Sequence, residues 1–268
     1  MQREAITLRC GQLTLHSVSP EWILGVSSQG LVHVVTVNAE IFAYGHEDPA
    51  LKAILSSSIN TIDGRFVQWI SKLLYPGAAV HRLAGSDFIY DLAEHCRLHS
   101  ERLFLLGSCE TSNSRAVSAL QARYPGIQIS GFSPAYCPHP FNEAWNERIF
   151  TRIENFRPQH LVVCFGPLKQ EYWIYENARR LYALGVEFAY GLGGTIDFVS
   201  GVKKRAPRWL QFIGAEWFFR FACEPRERFR RTLKMFKLPY YACQTKRQLW
   251  KQRAFAPSSP DNTSSVLR

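Results

Sequence analysis

No run of 18 or more apolar residues occurs in the sequence, so no segment is expected to cross a membrane as a helix. The longest uncharged stretch, Trp22 to Ala39, is broken by Ser27, Ser28, Gln29, Gly30, His33 and Asn38. Residues 1–14 mix Arg3, Glu4 and Arg9 with apolar residues and lack the apolar core of a signal peptide. The seven cysteines are odd in number, and no two are spaced as Cys-x-x-Cys. Several sit in apolar, strand-like runs, which fits reduced thiols in a cytosolic protein and gives no zinc motif. There is no Asp-x-Asp, no Walker loop, no Gly-x-Gly-x-x-Gly and no internal repeat. Without Asp-x-Asp, a reaction that releases a diphosphate would rely on arginines, lysines and helix dipoles in place of a bridging divalent metal.

What is present is unevenly distributed. Residues 201–253 carry 15 Lys+Arg against 3 Asp+Glu, a balance of +12, whereas residues 1–200 carry 16 against 18, or −2. The basicity of this 268-residue chain therefore belongs to one C-terminal segment on a near-neutral body. Such asymmetry points to a polyanionic partner, either nucleic acid or an anionic membrane surface.

Short strands are expected around Ile6-Thr7-Leu8 and Leu13-Thr14-Leu15, and a buried strand over the valine-rich Leu31–Val37. Asp48-Pro49 opens a helix running to about Ser57, because Asp caps well and Pro suits the first turn. Ile59–Ile62 reads as a strand stopped by Asp63-Gly64, Phe66–Leu74 as a helix ended by Pro76-Gly77, and Phe88–Arg97 as a helix. Strands at Arg102–Leu106, Ile127–Ile129, His160–Cys164 and Val186–Tyr190 then alternate with helices to about Arg123, over Glu143–Phe156, and to Leu184. This alternation predicts an α/β fold, a Rossmann-like, mostly parallel sheet with helices on both faces. Ligands then sit at the carboxyl ends of the strands, and the loops after Leu106, Ile129, Cys164 and Tyr190 share one rim.

Two of those loops can hold phosphate. In Gly166–Glu171, backbone N–H groups, a helix N-terminus and Lys169 face a possible diphosphate, although an ordinary strand–helix turn has the same pattern. Gly191-Leu192-Gly193-Gly194 allows close backbone approach, or simply turns. Asp63 is either the first half of an Asp-Gly turn or a general base at a strand end, beside Thr36 and Asn38 on the next strand end. Arg82 can neutralise phosphate or form a surface ion pair. Gln170 and Glu171 can bind sugar hydroxyls or cap their own helix. His95 and His99 lie four apart with no further ligand nearby in sequence, which reads as one helix face. The segment Pro207–Phe221 is amphipathic at helical spacing: Trp209, Phe212 or Ile213, Trp217 and Phe221 line one side, with Arg208, Gln211 and Arg220 elsewhere. Aromatics flanked by arginines suit a helix lying in a membrane interface, as against an ordinary helix packed on a core. No recognisable nucleic-acid-binding module precedes it, so no nucleic-acid partner is expected.

Taken together, these residues resemble the bacterial WecG/TagA/CpsF glycosyltransferases over about residues 31–231. The resemblance is carried by Gly191-Leu-Gly-Gly-Thr-Ile-Asp197-Phe, Gly201, Arg205-Ala-Pro207, Glu216-Trp217-Phe-Phe-Arg220 and Glu224-Pro225-Arg226. Thr36-Val-Asn38-Ala-Glu, Asp63-Gly64, Arg82-Leu-Ala-Gly85-Ser-Asp87, Tyr136 and Lys169-Gln170-Glu171 add to it. Three places depart from the family pattern. Pro167 stands one place early before Lys169; Ala135-Tyr136 replaces a usual Gly-Tyr; and Arg226-Glu227-Arg228 blurs the register of the last arginines.

The resemblance implies an inverting, metal-independent and cofactor-free transfer of a sugar from a UDP-sugar to a polyprenyl-diphosphate-linked saccharide, in surface-polysaccharide synthesis on the cytoplasmic face of the plasma membrane. The donated sugar stays open among N-acetylmannosamine, its uronic acid, glucose, galactose and glucuronic acid. Carried over by position, Asp63 is the base. Thr36, Asn38, Arg82 and Gln170 surround the sugar and diphosphate, with Lys169, Glu171, Gly193 and Gly194 in the same loops. Tyr136 and Asp197 lie near the nucleotide. Residues 1–200 form the core and 201–241 a membrane-associating appendage that offers Arg205, Trp209, Trp217, Arg220, Arg226, Arg228 and Arg231 to the acceptor and the anionic surface. Residues 242–268 are a tail, expected to be disordered from about 254. A homo-oligomer is compatible with all of this. The competing reading is a non-catalytic nucleotide- or nucleic-acid-binding adaptor with a basic tail.

Overall fold

The computed structural model describes residues 5–27, 29–203, 206, 207, 210, 219 and 237–254. The chain opens on an antiparallel hairpin, β1 (Ile6–Cys10) and β2 (Leu13–Ser17), which turns at Gly11 with φ +67°. β2 then pairs in parallel with β4 (Ile59–Ile62), and β4 with β3 (Val32–Val37). All six residues of β3 are buried, as expected of a strand covered on both faces. The remaining strands are β5 (Arg102–Gly107), β6 (Gln128–Phe132), β7 (His160–Cys164) and β8 (Phe188–Gly191). Among the described residues they complete an eight-stranded sheet in the order β1-β2-β4-β3-β8-β7-β5-β6. Every pairing except β1–β2 is parallel. The expected rim of loops is therefore real: the ends of β5, β6, β7 and β8 lie on one edge.

Alternate side chains of the strands feed different cores. Val34, Leu105, Val162, Cys164 and Tyr190 pack with α5 (Gly85–His99), α6 (Glu110–Arg123) and α10 (Thr195–Val199) on one face. On the other face, Phe104, Leu161, Val163 and Ala189 meet α7 (Glu143–Phe156), α8 (Lys169–Glu176) and α9 (Ala178–Ala183). Val35 and Val37 pack on that face too, with α2 (Ala39–Glu47), α3 (Pro49–Ser56) and α4 (Arg65–Leu74). A short α1 (Pro20–Leu24) leads into β3. The connection after β8 leaves to one face, while those after β3 and β7 leave to the other. The crevice of such a switch lies at the carboxyl end of β8.

Helix α2 departs from the sequence expectation, which placed no helix before Asp48. Asn38 ends the strand and caps this helix, its Oδ1 accepting from the amides of Glu40 (2.9 Å) and Ile41 (3.0 Å). Gly45 would ordinarily discourage a helix, but here a Cβ would meet Leu55 Cδ1 at 2.7 Å, so its lack of a side chain lets α2 pack closely on α3 without displacing Leu55. Asp48 caps α3 as expected, accepting from Ala50 N at 2.9 Å. The single helix expected up to Leu184 is divided at Asn177, and the short α10 was not expected.

The last described element, α11 (Leu238–Ala254), runs across the 241/242 boundary expected between appendage and tail. Its buried Leu238 and Ala242 join the cluster of β1, α2 and α4. Lys237 Nζ pairs with Glu47 Oε1 at 2.7 Å, and Tyr241 stacks on His46. No helix among the described residues is long and apolar enough to cross a membrane.

Candidate active site

The strand order places Asp63, after β4, beside Thr36 and Asn38 at the end of β3. Next come Gly193 and Gly194 beyond β8, and Lys169, Gln170 and Glu171 beyond β7. At about 4.8 Å per strand, β4 to β7 spans roughly 14 Å, and β4 to β6 roughly 24 Å.

Asp63 is half-buried, and its backbone is held from both sides. Its amide donates to Val37 O at 3.1 Å, and its carbonyl accepts from Arg82 Nη1 at 3.3 Å. Arg82 also lies 3.7 Å from the Asp87 carboxylate. The segment carrying Arg82 is fixed by Leu83 N donating to Ile62 O at 2.8 Å. Two segments 19 residues apart in the chain thus bring a carboxylate and a guanidinium together at the β4 end.

Thr36 is buried, and its hydroxyl donates to Gly191 O at 2.7 Å. This bond joins the two central strands at the point where their loops diverge. Gln170 and Glu171 are also buried. Gln170 Oε1 accepts from Gly193 N at 3.1 Å, and Gln170 Nε2 donates to Glu171 Oε1 at 2.7 Å. The first turn of α8 therefore holds the glycine loop in place through the Gln170 side chain, which Glu171 fixes. Gly191, the first residue of the glycine loop read in the sequence as allowing close approach, is indeed closely approached, by side chains of the neighbouring loop: a Cβ there would meet Gln170 Nε2 at 2.9 Å and Glu171 Oε1 at 3.0 Å. Burial pushes the Glu171 carboxyl up to about 7, against smaller opposing effects of the Gln170 bond and nearby amides. Its Oε2 has no hydrogen-bond partner among the described residues.

Leu168, which occupies the position left by the early Pro167, adopts φ +71° and ψ −52°. A branched residue in that region costs on the order of 1–3 kcal/mol, and it lies immediately before the loop that fixes Gly193. Lys169 Nζ sits 3.8 Å from the centre of the Tyr136 ring, a cation–π contact that links the β6–α7 loop to the β7–α8 loop. Tyr136 is otherwise 83% exposed, so its ring stands at the mouth. Asp197, in the first turn of α10, accepts from Ser108 Oγ and lies 3.5 Å from Lys203 Nζ. It therefore belongs to the β5 side of the rim, away from Asp63. Ser108 follows Gly107, whose φ of +104° turns the β5 end toward Cys164.

Asp63, Thr36, Asn38, Arg82, Lys169, Gln170, Glu171, Gly193 and Gly194 thus share four adjacent strand ends, with Tyr136 and Asp197 at the far end of the same rim. Arg205, Trp209, Trp217, Arg220, Arg226, Arg228 and Arg231 lie outside the described residues.

A doubly wound parallel sheet whose polar crevice combines a carboxylate, a guanidinium and glycine loops defines a ligand-binding α/β protein. The chain belongs to the WecG/TagA/CpsF family of glycosyl transferases, whose family model matches residues 5–254. It is 30% identical over 235 residues to an N-acetylglucosaminyldiphosphoundecaprenol N-acetyl-beta-D-mannosaminyltransferase of Bacillus subtilis (strain 168), covering 87% of this chain and 86% of that protein. The identically named proteins of Staphylococcus aureus (strain MRSA252) and Bacillus spizizenii are 30% and 31% identical, over 70% and 76% of each chain respectively.

Proposed function

We propose that this glycosyltransferase moves a sugar from a UDP-sugar to a saccharide carried on a polyprenyl diphosphate, with inversion and without a metal. The acceptor class is supported by the relatives, whose names specify an N-acetylglucosaminyl-diphosphoundecaprenol acceptor and an N-acetylmannosaminyl donor group. The observation that carries the mechanism is the hydrogen-bonded juxtaposition of Asp63 and Arg82 at the β4 end, adjacent in the sheet to the β3, β8 and β7 ends.

In a single displacement, the acceptor hydroxyl gives its proton to the Asp63 carboxylate as its oxygen bonds to the anomeric carbon. The bond from that carbon to the diphosphate oxygen breaks, and UDP leaves with the electron pair. Attack from the side opposite the leaving group inverts the centre. Arg82, Lys169 and the loop amides offset the charge that develops on the diphosphate. The Gln170–Gly193 bond and the Thr36–Gly191 bond position the loops that receive the donor.

The +12 segment, residues 201–253, provides attraction to an anionic membrane surface, where the lipid-borne acceptor resides. On this reading the protein is peripheral on the cytoplasmic face and acts in cell-envelope polysaccharide assembly.

The test is UDP release across a panel of UDP-sugars with an N-acetylglucosaminyl-diphosphate lipid analogue. Asp63→Asn should keep its far-UV circular dichroism and lose about 10²- to 10⁴-fold in turnover. Near-wild-type turnover in that variant removes Asp63 as the base. EDTA should leave turnover intact; loss restored by Mn²⁺ overturns the metal-free step.

A further inference from the structure

We propose that His95, Glu101 and His160 form a binding site for one divalent transition-metal ion, best matched by Zn²⁺, at the sheet edge opposite the candidate active site. The three residues come from the last turns of α5, the link into β5 and the first position of β7. One ligand atom from each lies within 4.8 Å of the other two. Glu101 Oε2 is 2.7 Å from His160 Nε2 and 3.2 Å from His95 Nε2. Zinc bound at about 2.0–2.2 Å in tetrahedral geometry separates its ligands by roughly 3.4 Å, so small side-chain shifts admit the ion. Two imidazoles and a carboxylate suit zinc or its neighbours, whereas calcium and magnesium favour all-oxygen shells.

The ligands are held in advance. The His160 side chain is 2% exposed, and its ring lies nearly parallel to those of Phe188 and Tyr190, with centroids 5.1 and 5.9 Å away. Its Nδ1 is 3.0 Å from Tyr190 Oη. If that nitrogen donates to the tyrosine oxygen, Nε2 is left as a lone-pair ligand, the second-shell arrangement typical of metal-bound histidine. The pairing of β5 with β7, Leu103 opposite His160, brings Glu101 to His160. Arg102 N donating to Gln159 Oε1 at 2.9 Å reinforces that alignment. The His95 ring stacks on His99 with centroids 4.1 Å apart, which restricts its rotation. The His95 and Glu101 side chains are 18% and 31% exposed, so an ion and a fourth, water ligand reach the site from solvent. A bound ion would clamp α5 to the amino-terminal ends of β5 and β7.

The test uses the full-length chain stripped with a chelator and titrated with ZnCl₂ by calorimetry, with thermal unfolding alongside. One ion per chain and an upward shift in Tm are expected. His95→Ala and Glu101→Gln, both at partly exposed positions, should each weaken binding at least tenfold while keeping the wild-type circular dichroism. Co²⁺ should give a visible absorption band in the wild type that both variants lose. No saturable binding by the wild type overturns the site. So does unchanged affinity in either variant, which would place the ion elsewhere, for example on the exposed thiols of Cys109 and Cys243.

Discussion

Replacing Glu171 with Gln isolates the energetic cost of one buried carboxyl at the crevice. The folded protein keeps the Glu171 proton up to about pH 7, whereas the reference value for the group is 4.5. Between those values the folded state binds more protons than the unfolded chain, so this group makes stability fall as pH rises. Above about pH 7 both states are ionised and the penalty is level. At about 1.4 kcal/mol per pH unit, the full penalty is about 3 kcal/mol. Glutamine has nearly the same shape, can accept the Gln170 Nε2 bond and has no proton to lose. Any fixed cost of its new NH₂ group is independent of pH. The assay is urea unfolding of both proteins at pH 5, 6, 7 and 8, followed by tryptophan fluorescence. The stability of Glu171→Gln relative to wild type should rise across this range and then level off. Parallel curves for the two proteins would refute the reasoning, because they would mean that Glu171 ionises alike in folded and unfolded chains.

Gly107→Ala should destabilise the fold by at least about 2 kcal/mol in urea unfolding, because the position has φ +104° and the new Cβ would lie 2.7 Å from the backbone oxygen of Cys164. An unchanged midpoint would contradict the described turn. Burial lowers His33 to about 3, so the neutral imidazole contributes stability above its unfolded value near 6.5 that is lost as pH falls toward 3. His33→Gln should flatten the acid limb of the pH–stability curve; an equally steep limb would exclude His33 as its source. Full-length protein should sediment with phosphatidylglycerol vesicles in a salt-sensitive manner. Changing Arg226, Arg228 and Arg231 together to Gln should weaken that binding about a hundredfold, at about 1 kcal/mol per charge. Equal binding by the triple variant would separate these arginines from the membrane.

The strands were legible wherever a short apolar run was bounded by clear punctuation, as in β3 before Asn38 and β4 before Asp63-Gly64. Helix α3 could be placed because Asp48-Pro49 combines a cap with a favoured first residue. Helix α2 could not, since its cap lies directly on a strand end and Gly45 reads as a breaker until Leu55 is seen against it. The rim was legible from strand–helix alternation, but the pairing between its loops was not. Gln170 and Glu171 were expected around the donor; the geometry also shows Gln170, fixed by Glu171, gripping Gly193, and both closely approaching Gly191. That arrangement depends on contacts between loops about 20 residues apart, which no local pattern encodes. For the same reason His95 and His99 read as a helix face, while Glu101 and His160, 59 residues apart, meet only through strand pairing.

The Thr36–Gly191 bond joins residues 155 positions apart, at the centre of the sheet. On a ribosome adding about 5–20 residues per second, β3 is complete roughly 8–30 s before its partner β8 emerges. Through that interval the apolar β3 has an open edge, the kind of surface that pairs with other chains. The crevice is therefore among the last features a nascent chain can complete. A chain cut short before Gly191 would present that edge permanently, so premature termination should yield aggregates rather than a smaller working enzyme.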